Sequence, residues 1–171
     1  MSETKTIQLT NAQQKFRRKF LNPFLFRLHA LFNVPAGFIA GMKLIELDAE
    51  HAASTIPFKW LNKNPFKSIY FAVQSMAAEL STASLALLAI EGKNPSVALI
   101  IIDMEAEFPK KATDRVTFRC ESGLEFFEAV EQCVETGEAT TVKAKTVGTM
   151  SDGTIVSTFH FTWSFKQRVS G

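Results

Sequence analysis

Apolar positions along this chain change their period several times. In the first 33 residues they recur every three or four: Phe16, Phe20, Phe24, Leu25, Leu28, Leu31 and Phe32 have helical spacing. Pro23 and Pro35 interrupt the run, which predicts two short helices, 11–21 and 23–33. After Gly41 the period drops to two. Met42, Leu44, Glu46 and Asp48 alternate with Lys43, Ile45 and Leu47, and Ala52, Ser54, Ile56 and Phe58 follow. Two strands, 41–48 and 51–59, joined by a tight turn at Ala49–Glu50, fit this pattern. A polar loop from Trp60 to Pro65 leads into residues 67–90, which lack Pro and Gly and are rich in Ala, Leu and Met. That is the strongest helix signal in the chain, and Gly92, Asn94 and Pro95 end it. Val97 to Phe108 reads as a long strand whose run Val97–Ile102 is too apolar for a sheet edge. Thr113 to Glu121 is a further strand. Leu124, Phe126, Phe127, Val130, Cys133 and Val134 return to helical spacing, ended by Gly137. Residues 139–149 alternate again, Asp152-Gly153 centres a hairpin turn, and Ile155, Ser157, Phe159, Phe161, Trp163 and Phe165 alternate strictly in a last strand.

A long helix that is apolar on nearly every side must be wrapped. About six antiparallel strands curled around it would do so. The expected fold is therefore α+β, of the hotdog type, with a domain over 41–171 and an N-terminal helical extension over 1–40 packed on it. So small a sheet leaves an edge strand and one helix face open, so two chains are expected to pair into a homodimer, or further into a tetramer. Composition agrees with this picture. In 171 residues, 46% apolar and 21% charged is ordinary for a globular chain and excludes collagen-like, disordered and disulfide-rich classes. Sixteen Phe beside eight Gly and six Pro point to few, long elements around an aromatic core. Cys120 and Cys133 form neither a disulfide framework nor a metal cluster. Residues 1–20 do not read as a signal peptide, and a soluble, cytoplasmic protein is expected.

Charge changes the picture only at the start. The first 40 residues carry Lys5, Lys15, Arg17, Arg18, Lys19 and Arg27 against Glu3, while the whole chain is only +2. One reading is a membrane-surface or nucleic-acid arm. The other is a helix packed on the domain with its basic face in water, which the aromatics alone would explain. We expect the packed helix, with no nucleic acid and no membrane contact.

The chemistry lies around the long helix. Glu79 is the only charged residue between Lys67 and Glu91. Ser68, Ser75, Glu79 and Thr82 are spaced seven, four and three apart and share one stripe. A carboxylate inside an apolar helix would have a raised pKa and serve as a proton acceptor near neutral pH. The plainer alternatives are a Glu on the wet side, or a structural acid bonded to Ser75 and Thr82. Asn64 sits just ahead of the expected helix start, where backbone N–H groups are free and the helix dipole favours a developing oxyanion. Its side chain would cap the helix or hold a water.

Asn64 precedes Tyr70 by six residues and Glu79 follows Tyr70 by nine. With the string Asn64-Pro65-Phe66-Lys67-Ser68-Ile69-Tyr70-Phe71-Ala72 and Ala77-Ala78-Glu79-Leu80-Ser81, this resembles the hotdog-fold thioesterases of the phenylacetyl-CoA type, and more closely an uncharacterised thioesterase-like branch, over residues 20–165. In that family an Asn stands six residues before a His-Gly-Gly, and an acid follows the His by nine. Here Tyr70-Phe71-Ala72 replaces His-Gly-Gly. The glycines would let a ligand approach the backbone, whereas Tyr70 and Phe71 narrow that approach or line an acyl tunnel, and Ala72 still offers an N–H. The resemblance implies hydrolysis of an acyl-CoA or acyl-carrier thioester. Glu79 would be general base or nucleophile, and Asn64 would position water or substrate. N–H groups near Phe71 and Ala72, from a partner subunit, would bind the carbonyl oxygen, and Ser75 and Thr82 would orient Glu79. No metal or redox cofactor is implied, and Lys110, Lys111 or Arg115 would meet the CoA phosphates. The alternative is a non-catalytic binder of acyl groups in the same tunnel, which Tyr70 and Phe71 favour. A hydratase would want a His–acid pair near the helix, and His29, His51 and His160 lie far off in sequence.

Overall fold

The computed structural model describes residues 7–168, so Glu3 and Lys5 of the basic start lie outside the described residues. Three helices open the chain: α1 (Asn11–Leu21), α2 (Pro23–Asn33) and α3 (Pro35–Ala40). Thr10 and Gln13 form a reciprocal cap on α1, and the Asn22 side chain accepts from the N–H groups of Phe24 and Leu25 to start α2. The helix α3 was not expected. Pro35 at its first turn presets φ, and Gly41 ends it at φ 80°, a conformation glycine adopts without strain.

Six strands follow: β1 (Lys43–Leu47), β2 (Ala52–Ile56), β3 (Val97–Glu107), β4 (Val116–Cys120), β5 (Thr140–Met150) and β6 (Ile155–Gln167). They form one antiparallel sheet in the order β1-β2-β4-β5-β6-β3. The long helix α4 (Phe71–Ile90) lies against it, and α5 (Gly123–Thr136) packs between α4 and β5–β6. This is the α+β hotdog architecture, with the N-terminal helices set against β1 and α4.

The inward face of α4 is built from small residues, Ala77, Ala78, Ser81, Thr82, Ser84, Ala86 and Ala89, with Leu85 and Leu88 between them. Small side chains let the sheet approach closely, and the hydroxyls are satisfied. Ser81 bonds Thr146 of β5 (2.8 Å) and the Ala78 carbonyl, and Ser84 donates to the Leu80 carbonyl. β6 fills the facing side with Phe159, Phe161, Trp163 and Phe165, all at most 4% exposed. The strict alternation of that strand places them there. α4 has the length and apolarity of a membrane span. Its burial under the sheet accounts for that composition.

Three expectations need correction. The helix begins at Phe71, not at residue 67, because residues 63–70 fold into a pinned loop described below. The alternation in β1 breaks at a bulge between Leu44 and Glu46, so Leu47 turns inward (1% exposed) and Glu46 outward. And β3 is an edge strand despite its apolar run: among the described residues it pairs with β6 alone. Leu99 and Ile101 face inward, while Ile100 (64%) and Ile102 (58%) stand on the exposed side. The apolar composition reflects a second face with no cover in the single chain, not a central position.

Candidate functional site

The segment between β2 and α4 is held by a short hydrogen-bonded frame. A 3-10 turn at Trp60–Asn62 buries Asn62, whose amide nitrogen donates to the carbonyls of Ala40 (2.9 Å) and Pro57 (2.7 Å). The Asn62 carbonyl in turn accepts from the Tyr70 N–H (2.8 Å). Asn64 turns the loop back on itself. Its Oδ1 accepts from the N–H groups of Phe66 (3.0 Å) and Ser68 (3.1 Å) and from the Ser68 hydroxyl (3.2 Å). Lys67 sits at φ 59° to close the turn. Ile69 N–H donates to the Ala112 carbonyl (2.8 Å), tying the loop to the approach to β4.

Asn64 therefore does not cap α4. Its oxygen is spent on its own loop, and its Nδ2 donates to no described residue. The N-cap of α4 is Tyr70, which supplies no side-chain bond. The Tyr70 carbonyl accepts from the N–H groups of Val73 and Gln74, and the N–H groups of Phe71 and Ala72 have no described partner. These two donors sit at the positive end of the longest helix.

Asn64, Ser68, Tyr70 and Phe71 line one groove of about 510 Å³ with Gln74, Phe108, Lys110 and Lys111. Tyr70 and Phe71 meet edge to face with ring centroids 4.8 Å apart, and Phe71 contacts Phe108 (6.4 Å). The groove thus combines aromatic walls, the free N–H of Phe71, an uncommitted amide and two lysines; Ala72, expected beside them, is not among its walls. Arg115 is not among its walls.

Gln74 is a member that sequence reasoning missed. It is buried, its Nε2 donates to the Ile69 carbonyl (3.2 Å), and its Oε1 accepts from Ser157 of β6 (2.9 Å). It locks the first turn of α4 to both loop and sheet. The available signal was a long polar side chain in an otherwise apolar helix, the same signal that drew attention to Glu79.

Glu79 lies elsewhere. It stands eight residues beyond Phe71, about 12 Å along the helix axis, on the outward face with Ser75, Met76 and Ala83 one turn away. Its carboxylate makes no hydrogen bond or ion pair with any described residue. Although the side chain reaches the surface, the surrounding protein desolvates the carboxyl and raises its pKa above the usual carboxylate value. The expected clamp on it is not formed. The Ser75 hydroxyl donates to the Phe71 carbonyl (3.1 Å), and that of buried Thr82 donates to the Glu79 backbone carbonyl (3.0 Å) while accepting from Trp163 Nε1 (3.1 Å). Ser75 and Thr82 are helix and core contacts, because a hydroxyl in a helix finds the preceding carbonyl nearer than a side chain one turn away.

The cysteines are free and buried, and burial pushes the Cys120 thiol up to about 11, so it stays protonated. Among the described residues no group of three or more His, Cys, Asp or Glu stands together. His29 is on α2 against Phe20, His51 meets Glu46 and Asp48 beside β1, and His160 is on β6.

No protein-family profile matches this chain, and no curated protein is significantly similar to it. Solved structures do resemble it. A Pseudomonas aeruginosa protein of unknown function, described as a probable thioesterase, superposes with a TM-score of 0.72 at 16% identity, covering 88% of this chain and 99% of that one. The PaaI protein of the E. coli phenylacetic acid degradation operon gives 0.62 at 12%, covering 94% and 98%. A Haemophilus influenzae thioesterase gives 0.58 at 14%, covering 84% and 90%. At these identities the likeness speaks to architecture, and it extends over nearly the whole length of each chain: this protein has the hotdog fold that these proteins share.

Proposed function

We propose that the chain hydrolyses acyl thioesters, with acyl-CoA or an acyl carrier as the substrate class. The observation that carries this reading is the groove at the start of α4. There the unpartnered N–H of Phe71, with that of Ala72 next to it in the chain, lies at a groove that Asn64 also lines, between aromatic walls. A thioester carbonyl placed at those N–H groups gains charge as water adds to it, and the helix terminus favours that charge. Glu79 is the base, its raised pKa suiting it to take a proton from water. The hydroxide oxygen bonds to the carbonyl carbon, the C–S bond breaks, and the leaving thiolate recovers the proton from Glu79. Lys110 and Lys111 at the groove wall suit the phosphates of CoA. Within one chain Glu79 is too far along α4 to serve its own groove. The reaction therefore needs a second copy, whose groove faces this Glu79 across the dimer. The protein would work in the cytoplasm, where acyl-CoA is made and used.

A specific observation favours a second reading: Tyr70 and Phe71 occupy the mouth of the groove, 44% and 54% exposed. This would suit a non-catalytic acyl binder. Incubation with acyl-CoAs from acetyl to palmitoyl, following thiol release, separates the two. Release that falls at least a hundredfold in Glu79→Gln is expected, from the loss of a general base. Release undiminished in that variant removes Glu79 from the mechanism. No release from any acyl-CoA, together with lipid found bound by mass spectrometry, supports the binder.

A further inference from the structure

We infer that the N-terminal helices dock the protein on an anionic lipid bilayer, a role separate from the chemistry of the groove. Against the expectation of a fully packed extension, α2 is apolar on two faces and only one is covered. Phe26 and Ala30 point into the core. On the opposite face Phe24 (74% exposed), Leu28 (46%) and Phe32 (76%) follow one another at one-turn intervals, an unbroken apolar stripe in water.

Cations flank that stripe. Between residue 7 and Ile45 there is no acidic residue, while Lys15, Arg17, Arg18, Lys19, Arg27 and Lys43 fall in that span. Lys15 and Lys19 line a recess on one flank of α2 with His29 and one acid, Glu91, and Arg27 and Lys43 line an apolar cavity of about 340 Å³ on the other. Apart from Arg17, which donates to the Leu47 carbonyl, none of these side chains has a hydrogen-bond or ion-pair partner among the described residues. The Arg27 guanidinium lies 4.9 Å above the Phe38 ring, a cation–π contact that leaves its charge without an acidic partner.

An exposed apolar stripe bordered by an excess of cations outside any ion pair matches the interface of a bilayer with anionic headgroups, which takes Phe and Leu into its acyl boundary and Lys and Arg at its surface. A second copy of the chain fits less well. A two-fold contact sets the same patch against itself, so these cations would face one another.

Co-sedimentation of the full chain with vesicles tests this. Binding is expected to vesicles of phosphatidylcholine containing phosphatidylglycerol and not to phosphatidylcholine alone. It should weaken in 1 M salt, where the screening length falls to about 3 Å. The exposed double variant Phe24→Ser/Phe32→Ser should lose binding. Lys15→Gln/Arg18→Gln/Arg27→Gln should weaken it roughly fivefold per cation removed. Circular dichroism of both variants checks that the fold is kept, and the two read the proposal independently. Failure to pellet with either vesicle overturns the proposal, as does binding that the Phe24→Ser/Phe32→Ser variant retains. If that variant binds no vesicle differently from the parent but sediments as a smaller assembly, the face belongs to a second copy.

Discussion

The carboxyl of Glu79 holds its charge less readily in the folded chain than in water, and this has a cost in stability beside the chemical use proposed for it. Its folded pKa lies above its unfolded value. Ionisation therefore opposes folding, fully above the folded pKa and not at all below the unfolded one near 4.3. Glu79→Gln should accordingly melt at a higher temperature than the parent at pH 7. The difference should close as pH falls below about 4, where both side chains are neutral. A difference that persists in acid would come from packing rather than charge. Such an opposition between stability and activity is expected where a polar group is kept in an apolar setting for function. Glu79 and Asn64 were both legible in the sequence as candidates, because a lone charge in an apolar helix and an Asn ahead of it stand out. Their partners were not. Asn64 bonds Phe66 and Ser68 rather than the helix, and Thr82 meets Trp163, 81 residues away. Side-chain hydrogen bonds of that range depend on tertiary placement, which no local spacing encodes.

At the scale of elements, the patterns that depend on period alone were read well: α1 and α2 run over the residues expected, and the alternation of β6 faces the core as drawn. What escaped was each place where the backbone departs from its period. The bulge in β1 reverses Glu46 and Leu47, and the pinned loop delays α4 by four residues. Gly123 marks another such place. A Cβ there would lie 2.2 Å from the Ala49 carbonyl oxygen and 2.6 Å from the Glu50 backbone, because the start of α5 rests on the β1–β2 turn, with its N–H bonded to the Glu50 carbonyl at 2.9 Å. Both neighbours are backbone and cannot step aside. Gly123→Ala should cost about 1–3 kcal/mol, read as a lower midpoint in urea with an unchanged slope. An unaffected midpoint would mean that the turn at Ala49–Glu50 yields freely.

For the whole molecule, the uncovered outer side of β3 and the outward stripe of α4 raise the question of assembly. Ile100, Ile102 and Met104 stand exposed on an edge strand whose backbone is free to pair, a combination that solitary proteins avoid. We expect a homodimer in sedimentation at micromolar concentration, and a shift toward monomer in Ile100→Lys/Ile102→Lys. A parent chain that sediments as a monomer would contradict both the pairing and the shared site. The strand order has a further consequence, in time rather than space. α4 is flanked in sequence by β2 and β3, but β4, β5 and β6 all follow it, and β3 reaches its partner β6 across some sixty residues. During synthesis the most apolar helix must therefore wait, with β1 and β2 beside it, until the aromatic strand that encloses it emerges. Contacts of such long sequence separation form slowly. The nascent chain thus passes through a stage with its core open to association, and refolding from denaturant should be slow and limited by aggregation at high protein concentration.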